Sequence, residues 1–396
     1  MTNLDMGNGA RTQHACLEHS THLLVSALTR LDPSPRKAKT MRLFTCDNCK
    51  NVVFFDNRQC VQCKSRLAYE PVAMTMRAIS LVADGSWRFV TAERSEVRMC
   101  ANASFDVCNW LVDPSESQGF CLSCRHNRLV PSVKTAEGLN HWRKISRAQQ
   151  HLFYSILRWN LPHPDRTEDP TGGLVFDFLE DQHLPGGMIV PAMSGHDEGL
   201  ITIRAAEADD ATREEAKQSV HELYRTLLGH LRHESGHFMW NKLVRDGNDL
   251  ENYRSVFGDE RPNYEEALQH YYANGPLLGW QESFVSAYAS SHPWEDFAEC
   301  FAHYIHIVDS LETAREFGVA AKPPKHLAMA ASIDFDPYQA GTAEQLVSTW
   351  VPLSIAINSI QRSMGQSDSY PFVLSSPVIA KLEYLHRLVQ RFQRQP

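Results

Sequence analysis

No apolar run among the 396 residues approaches the roughly 20 consecutive apolar residues that a membrane-spanning helix needs. The short stretch from Leu23 to Leu28 follows an N-terminus without the basic region of a secretory signal, so export is not expected and a cytoplasmic location is the default. Internal repeats, low-complexity tracts and a glycine motif able to cradle phosphate are also missing, which sets aside repeat architectures and phosphate-loop chemistry. Positive charge is scarce in the rear: residues 149–396 hold 19 Lys/Arg against 34 Asp/Glu, whereas residues 1–148 hold 20 against 13. An acidic rear argues against bulk nucleic-acid affinity there, and the basic front leaves room only for a weak, salt-sensitive contact with an acidic partner. Its densest basic part, Arg125 to Arg147, reads as a solvated linker and helix face.

Cysteine is equally uneven. Eight of the ten fall between Cys46 and Cys124, leaving only Cys16 and Cys300 elsewhere. Cys46-Asp47-Asn48-Cys49 and Cys60-Val61-Gln62-Cys63 are paired CxxC knuckles, whose tight turns can present four thiolates tetrahedrally to one structural zinc. Cys100, Cys108, Cys121 and Cys124 form a second, looser set. Disulfides are the alternative, disfavoured where thiols stay reduced. Spacing leaves open whether the pairs are used in order or interleaved, and whether His126 replaces a thiolate. Cys300 reads as a small buried hydrophobe. A region of this size with few long apolar runs depends on metal for much of its folding free energy, and Met74 to Ile79 and Trp87 to Thr91 read as its small strands.

The most informative feature is His233-Glu234-Ser235-Gly236-His237, an HExxH pattern. Residues i and i+4 share a helix face, so both imidazoles can reach one zinc while Glu234 projects beside them toward a water as general base. Apolar Leu223, Leu227, Leu231, Phe238, Met239 and Leu243 place the motif inside an amphipathic helix spanning 223–244. His230 lies one turn earlier on nearly the same face, as a partner of the site, an alternate ligand or a core histidine. Catalytic zinc takes three protein ligands and keeps a fourth position open. Pro293 suits the first turn of a helix that puts Glu295, Glu299 and His303 on one face, and Glu295 is the expected third ligand. Its alternative role is to bond a free amide at the helix start, with His292 as cap. Glu299 is the next choice as ligand, or a carboxylate that fixes a ligating imidazole. Tyr288, His292, His303 and Tyr304 are the candidate donors to a developing oxyanion, and spacing does not choose among them.

With 43% hydrophobic residues the chain can bury a full core in two or more domains. The expected organisation is a loosely ordered extension over 1–40, a zinc-ribbon domain with two four-cysteine sites over 41–130, and a metallopeptidase domain over 131–396 with a helical C-terminal part. Its expected elements are a helix over 140–159, strands over 174–179, 188–193 and 200–204, the motif helix, and helices over 347–364 and 379–392. A strand beside the motif helix can pair with an extended peptide through its free backbone edge.

Cys46 to Cys63, Cys108-Asn109-Trp110-Leu111-Val112, Gly195 to Ile203, Leu228 to His237 and Ala287 to Glu299 together resemble the bacterial zinc-binding metallopeptidases that carry an N-terminal zinc ribbon. The resemblance runs from about Met41 to the C-terminal helix. It implies an α+β, zincin-like fold, mainly helical with a small sheet, and a peptidase acting on peptides or proteins. In zincins with a glutamate third ligand, that residue often opens an ExxxE or ExxxD pattern, which Glu295 and Glu299 match. One catalytic and two structural zincs are expected. The competing expectation is an adaptor that recruits a protein partner through its ribbons and carries a non-catalytic or gated zincin scaffold.

Overall fold

The computed structural model describes residues 43–91, 96–219, 226–327 and 329–393. The expected extension over 1–40 and the 223–225 start of the motif helix lie outside them. The ribbon begins with a hairpin of β1 (Phe44–Thr45) and β2 (Val52–Val53). An antiparallel sheet follows, in the order β3 (Arg66–Glu70), β4 (Thr75–Leu81), β5 (Trp87–Phe89) and β6 (Glu96–Val97). Its strands are short, and it packs around Tyr69, Phe55 and Trp110, whose rings meet at 4.7 to 6.1 Å.

A second sheet has the order β11 (Gly195–Asp197), β12 (Leu200–Arg204), β8 (Val175–Leu179) and β7 (Asn127–Leu129). The pairs β7·β8 and β12·β8 are parallel, and β11 runs antiparallel at the edge. Val175, Phe176 and Phe178 are buried, as expected for a strand covered on both faces. Between β8 and β11 the chain makes a small hairpin, β9 (Gln182–His183) with β10 (Ile189–Val190). The strand expected over 188–193 therefore shrinks to two residues, because its apolar side chains face solvent instead of a core.

Around this sheet lie α1 (Ala136–Arg158), α2 (Asp210–Ser219), α3 (Leu227–Met239), α4 (Leu250–Phe257), α5 (Tyr264–Asn274), α6 (Pro293–Glu316), α7 (Ala343–Ser363) and α8 (Ser376–Gln393). The fold is α+β, a cysteine-rich ribbon followed by a mainly helical domain with a small sheet. Local chemistry sets the two helices that matter most. Thr226 caps α3 by accepting from the Gly229 amide at 2.9 Å, and a π-helical turn over Trp240–Arg245 widens its exit. His292 caps α6 through Nδ1, which accepts from the Trp294 amide at 3.1 Å, and Pro293 opens the helix without a donor to orphan.

Helices α3 and α6 cross at very close range. A Cβ on Gly236 would lie 2.8 Å from Ala298 Cα and 3.2 Å from its carbonyl oxygen. In an exposed helix a Gly→Ala change gains about 1 kcal/mol. Here the extra methyl meets backbone, and overpacking costs about 1–3 kcal/mol. Gly236→Ala is therefore expected to lower the melting temperature, and chemical denaturation yielding a more stable variant would contradict the crossing.

Candidate active site

Residues His233, Glu234 and His237 sit on the buried side of α3, and Glu295 comes from the first turn of α6. His233 Nε2 lies 3.2 Å from His237 Nε2, while Glu295 Oε2 is 3.0 Å from the first and 3.4 Å from the second. His233 Nδ1 donates to Glu299 Oε1 at 2.7 Å, and Ser286 Oγ holds the other Glu299 oxygen at 2.6 Å. That bond places the neutral imidazole's single proton on Nδ1, so its Nε2 presents a lone pair toward His237 Nε2 and the Glu295 carboxylate. Tetrahedral zinc with bonds of about 2.0–2.2 Å sets neighbouring ligand atoms roughly 3.3–3.6 Å apart, close to the separations seen, so these residues fit the ion. Glu295 does not reach back to the start of its helix. Its Oε1 instead accepts from Tyr264 Oη at 2.5 Å.

Glu234 has its own support. His230 Nε2 lies 3.1 Å from Glu234 Oε1, and His230 Nδ1 lies 2.7 Å from Glu207 Oε2. An imidazole bonded to a carboxylate at each nitrogen donates to both only when doubly protonated. Burial opposes charge on His230, but Glu207 and Glu234 outweigh it and raise its pKa to about 9. Burial also pushes the Glu234 carboxyl up, yet the bond and charge of His230 prevail and hold it below the usual carboxylate range. Ser194 Oγ donates to the remaining Glu207 oxygen at 2.7 Å.

A cleft of about 430 Å³ opens beside this centre, with His230, His233, Glu234, Tyr288 and His303 in its wall. Of the four candidate oxyanion donors, two are bonded elsewhere. Tyr304 Oη meets His386 Nδ1 at 3.0 Å inside the core, and both His292 nitrogens are engaged, by the Trp294 amide and the Pro262 carbonyl. Tyr288, its ring 6.0 Å from that of His233, and His303, bonded through Nδ1 to Tyr370, remain on the cleft. Sequence reasoning had missed Glu207, Tyr264 and Ser286, which no spacing rule ties to the motif. His196, whose ring stacks 6.0 Å from His237, lies in β11.

The cysteines gather in chain order: Cys46, Cys49, Cys60 and Cys63 in one cluster, Cys100, Cys108, Cys121 and Cys124 in the other. Sulfurs approach to 3.6 Å, far beyond a disulfide bond and near the ~3.8 Å edge of a tetrahedron with Zn–S of about 2.3 Å. His126 is in neither cluster, and its Nδ1 donates to the Leu174 carbonyl at 2.9 Å. Cys300 is a buried thiol in α6, as its apolar neighbours imply. A fourth grouping, Glu137, His141 and Asp209, has Lys144 Nζ 3.4 Å from Asp209, so an ammonium already supplies the positive charge.

Residues 138–388 match the family described as "Putative zinc-binding metallo-peptidase", and residues 43–135 match a zinc-ribbon domain. The chain belongs to this zinc-binding metallopeptidase family. Uncharacterized proteins of Mycobacterium bovis and of two Mycobacterium tuberculosis strains are 37% identical over 352 residues, covering 88% of this chain and 95% of each relative. No solved structure matches. The ribbon supplies cysteine clusters suited to zinc, and the metallopeptidase match covers the helical domain; no helix among the described residues is long and apolar enough to cross a membrane. The eight clustered thiols are expected to resist alkylation in the zinc-loaded protein and to react after chelation. Rapid labelling of all eight before chelation would show that no metal holds them.

Proposed function

We propose that this metallopeptidase hydrolyses peptide bonds at a zinc held by His233, His237 and Glu295, with Glu234 as general base. The single observation that carries this reading is the convergence of three unshielded donor atoms, 3.0 to 3.4 Å apart, beside a carboxylate in the wall of an open cleft. Bound zinc supplies a depressed water pKa and polarisation of the scissile carbonyl. Glu234 takes the proton of the attacking water and later returns it to the leaving amine. Glu207 holds His230, and His230 holds one Glu234 oxygen, leaving the other free to face the water. Glu299 and Ser286 fix the His233 tautomer, and Tyr264 fixes the Glu295 carboxylate. Tyr288 and His303 are placed to donate to the developing oxyanion. The free edge of β11, beside α3, offers backbone groups to an extended substrate.

In this reading the ribbon, over 41–130, binds two further zincs as scaffold. Elemental analysis is then expected to find three zincs per chain, and two in His233→Ala or Glu295→Ala. Glu234→Gln keeps all three and loses hydrolysis; a Glu234→Gln variant as fast as the parent would remove the general-base role.

Glu207→Gln probes the support of the base separately. The expected result is a kcat lower by about 10–100-fold, the range seen when outer partners of a site are removed, with KM and zinc content nearly unchanged. A kcat equal to that of the parent would mean that Glu234 is positioned without this chain of bonds.

A further inference from the structure

Two chain segments far apart in sequence bring exposed apolar side chains to the cleft. One is the β9–β10 hairpin and the residues after it, where Met188 is 63% and Met193 81% exposed. The other is the end of α5 and its following loop, where Tyr272 is 62% exposed and Leu278 fully so. Met193, Tyr271, Tyr272, Trp280 and Phe372 line the cleft itself. A soluble protein keeps such side chains clustered in water at the cost of aggregation risk, and a cluster of this kind marks a contact surface.

The charged groups of the same wall are each hydrogen-bonded to a neighbour. Arg204 is held by Asp181 through two bonds of 2.7 and 2.5 Å, Glu207 and Glu234 by His230, and Glu299 by His233 and Ser286. An enzyme that trims chain ends needs a charge reserved for the terminal ammonium or carboxylate, since that terminus is otherwise buried unpaired. Among the described residues of this wall every formal charge already has a partner. The edge strand β11 adds backbone recognition, which reads an extended chain without regard to its ends.

Resting on the peptidase reading above, we propose that the cleft takes an extended, apolar stretch of polypeptide and cuts it internally, beside a large apolar or aromatic residue. Water adds across the scissile C–N bond, leaving a new carboxylate on one fragment and a new amine on the other. Apolar side chains of the substrate cover the rim residues, and the site makes no use of either terminus.

The experiment uses the zinc-loaded full chain and decapeptide libraries with acetylated N-termini and amidated C-termini, with products read by mass spectrometry. The expected result is internal cleavage, with kcat/KM at least about 10-fold higher when Leu, Phe or Met flanks the bond than when Asp or Lys does, in line with the worth of apolar pockets. Unblocking the ends is expected to change the rate by less than about threefold. Met193→Asp and Tyr272→Asp, both at exposed positions, are expected to lower kcat/KM for apolar peptides by about 10-fold at unchanged zinc content. Cleavage that requires a free terminus, or that proceeds equally at charged sites, overturns the inference and leaves the peptidase reading intact. Binding of the blocked peptides to Glu234→Gln, followed by fluorescence anisotropy, covers the remaining case. If the parent cleaves nothing while this variant binds apolar peptides selectively, the apolar recognition stands and both the internal cut and hydrolysis fall; equal binding of charged and apolar peptides overturns the inference outright.

Discussion

The approach of two backbones at Gly236 and Ala298 governs the site. Packed helices ordinarily keep their axes about 8–10 Å apart, separated by side chains. Here a glycine sits between the two imidazoles in sequence, and the facing residue is alanine, so α3 and α6 close until Glu295 meets His233 and His237 directly. The crossing is pinned at a second place by Arg232, which is buried, donates to Asp309 of α6 and meets His306 Nδ1 at 2.6 Å. Asp309 also accepts from Ser155 of α1 and from Tyr338. Losing one partner of a buried ion pair costs about 3–5 kcal/mol, because the other charge stays behind unpaired. At the start of α6, Lys381 pairs with Asp296 at 2.6 Å and donates to the Ser283 carbonyl, tying the ligand turn to α8 and to the loop that carries Ser286.

Stability alone does not account for what is buried there. His233, Glu234, Glu295 and Glu207 are all buried, and well-packed apolar residues of similar size would hold the helices together at less cost. The partners of these groups follow a pattern that His237, whose Nδ1 is buried without a hydrogen-bond partner among the described residues, does not share: His233, Glu295 and Glu234 each have a second group fixing a far atom. Glu299 does this for His233, Tyr264 for Glu295, and His230 for Glu234. Such outer bonds orient donors and set tautomers, which is of use for coordination and proton transfer and of little use for packing.

Much of this geometry was legible in the sequence where it depends on local periodicity. The four-residue step from His233 to His237, the proline before Glu295 and the four-residue step on to Glu299 each define a helix face, and a face survives folding. The cysteine knuckles are legible for the same reason, since each CxxC turn is local. Glu207 and Tyr264 were not. Glu207 sits in a single 3-10 turn after β12, and Tyr264 reaches Glu295 from 31 residues away, so only tertiary packing brings them to the site. The edge strand β11 was missed because Gly, His and Asp are poor strand formers, and its pairing with β12 overrides that preference. Residues 188–193 erred in the other direction, their β-branched and apolar character reflecting an exposed rim instead of a buried strand.

The ribbon is joined to the helical domain by more than the chain. Gln150 of α1 donates to Cys108 Sγ at 3.1 Å, and the backbone amides of Trp110 and Cys124 donate to Cys108 and Cys121 at 3.4 Å. Just after Cys124 the chain enters β7, which pairs with β8 inside the second sheet. A tetrahedral zinc fixes four sulfurs in space, so it also fixes what is bonded to them. From Cys108 the constraint passes to α1 through Gln150; one turn and more further along, Tyr154, Ser155 and Arg158 hold Glu312 and Asp309 of α6. Helix α6 in turn carries Glu295. A zinc held at Cys108 would thus bear on the position of Glu295, and the ribbon and the helical domain share one continuous core.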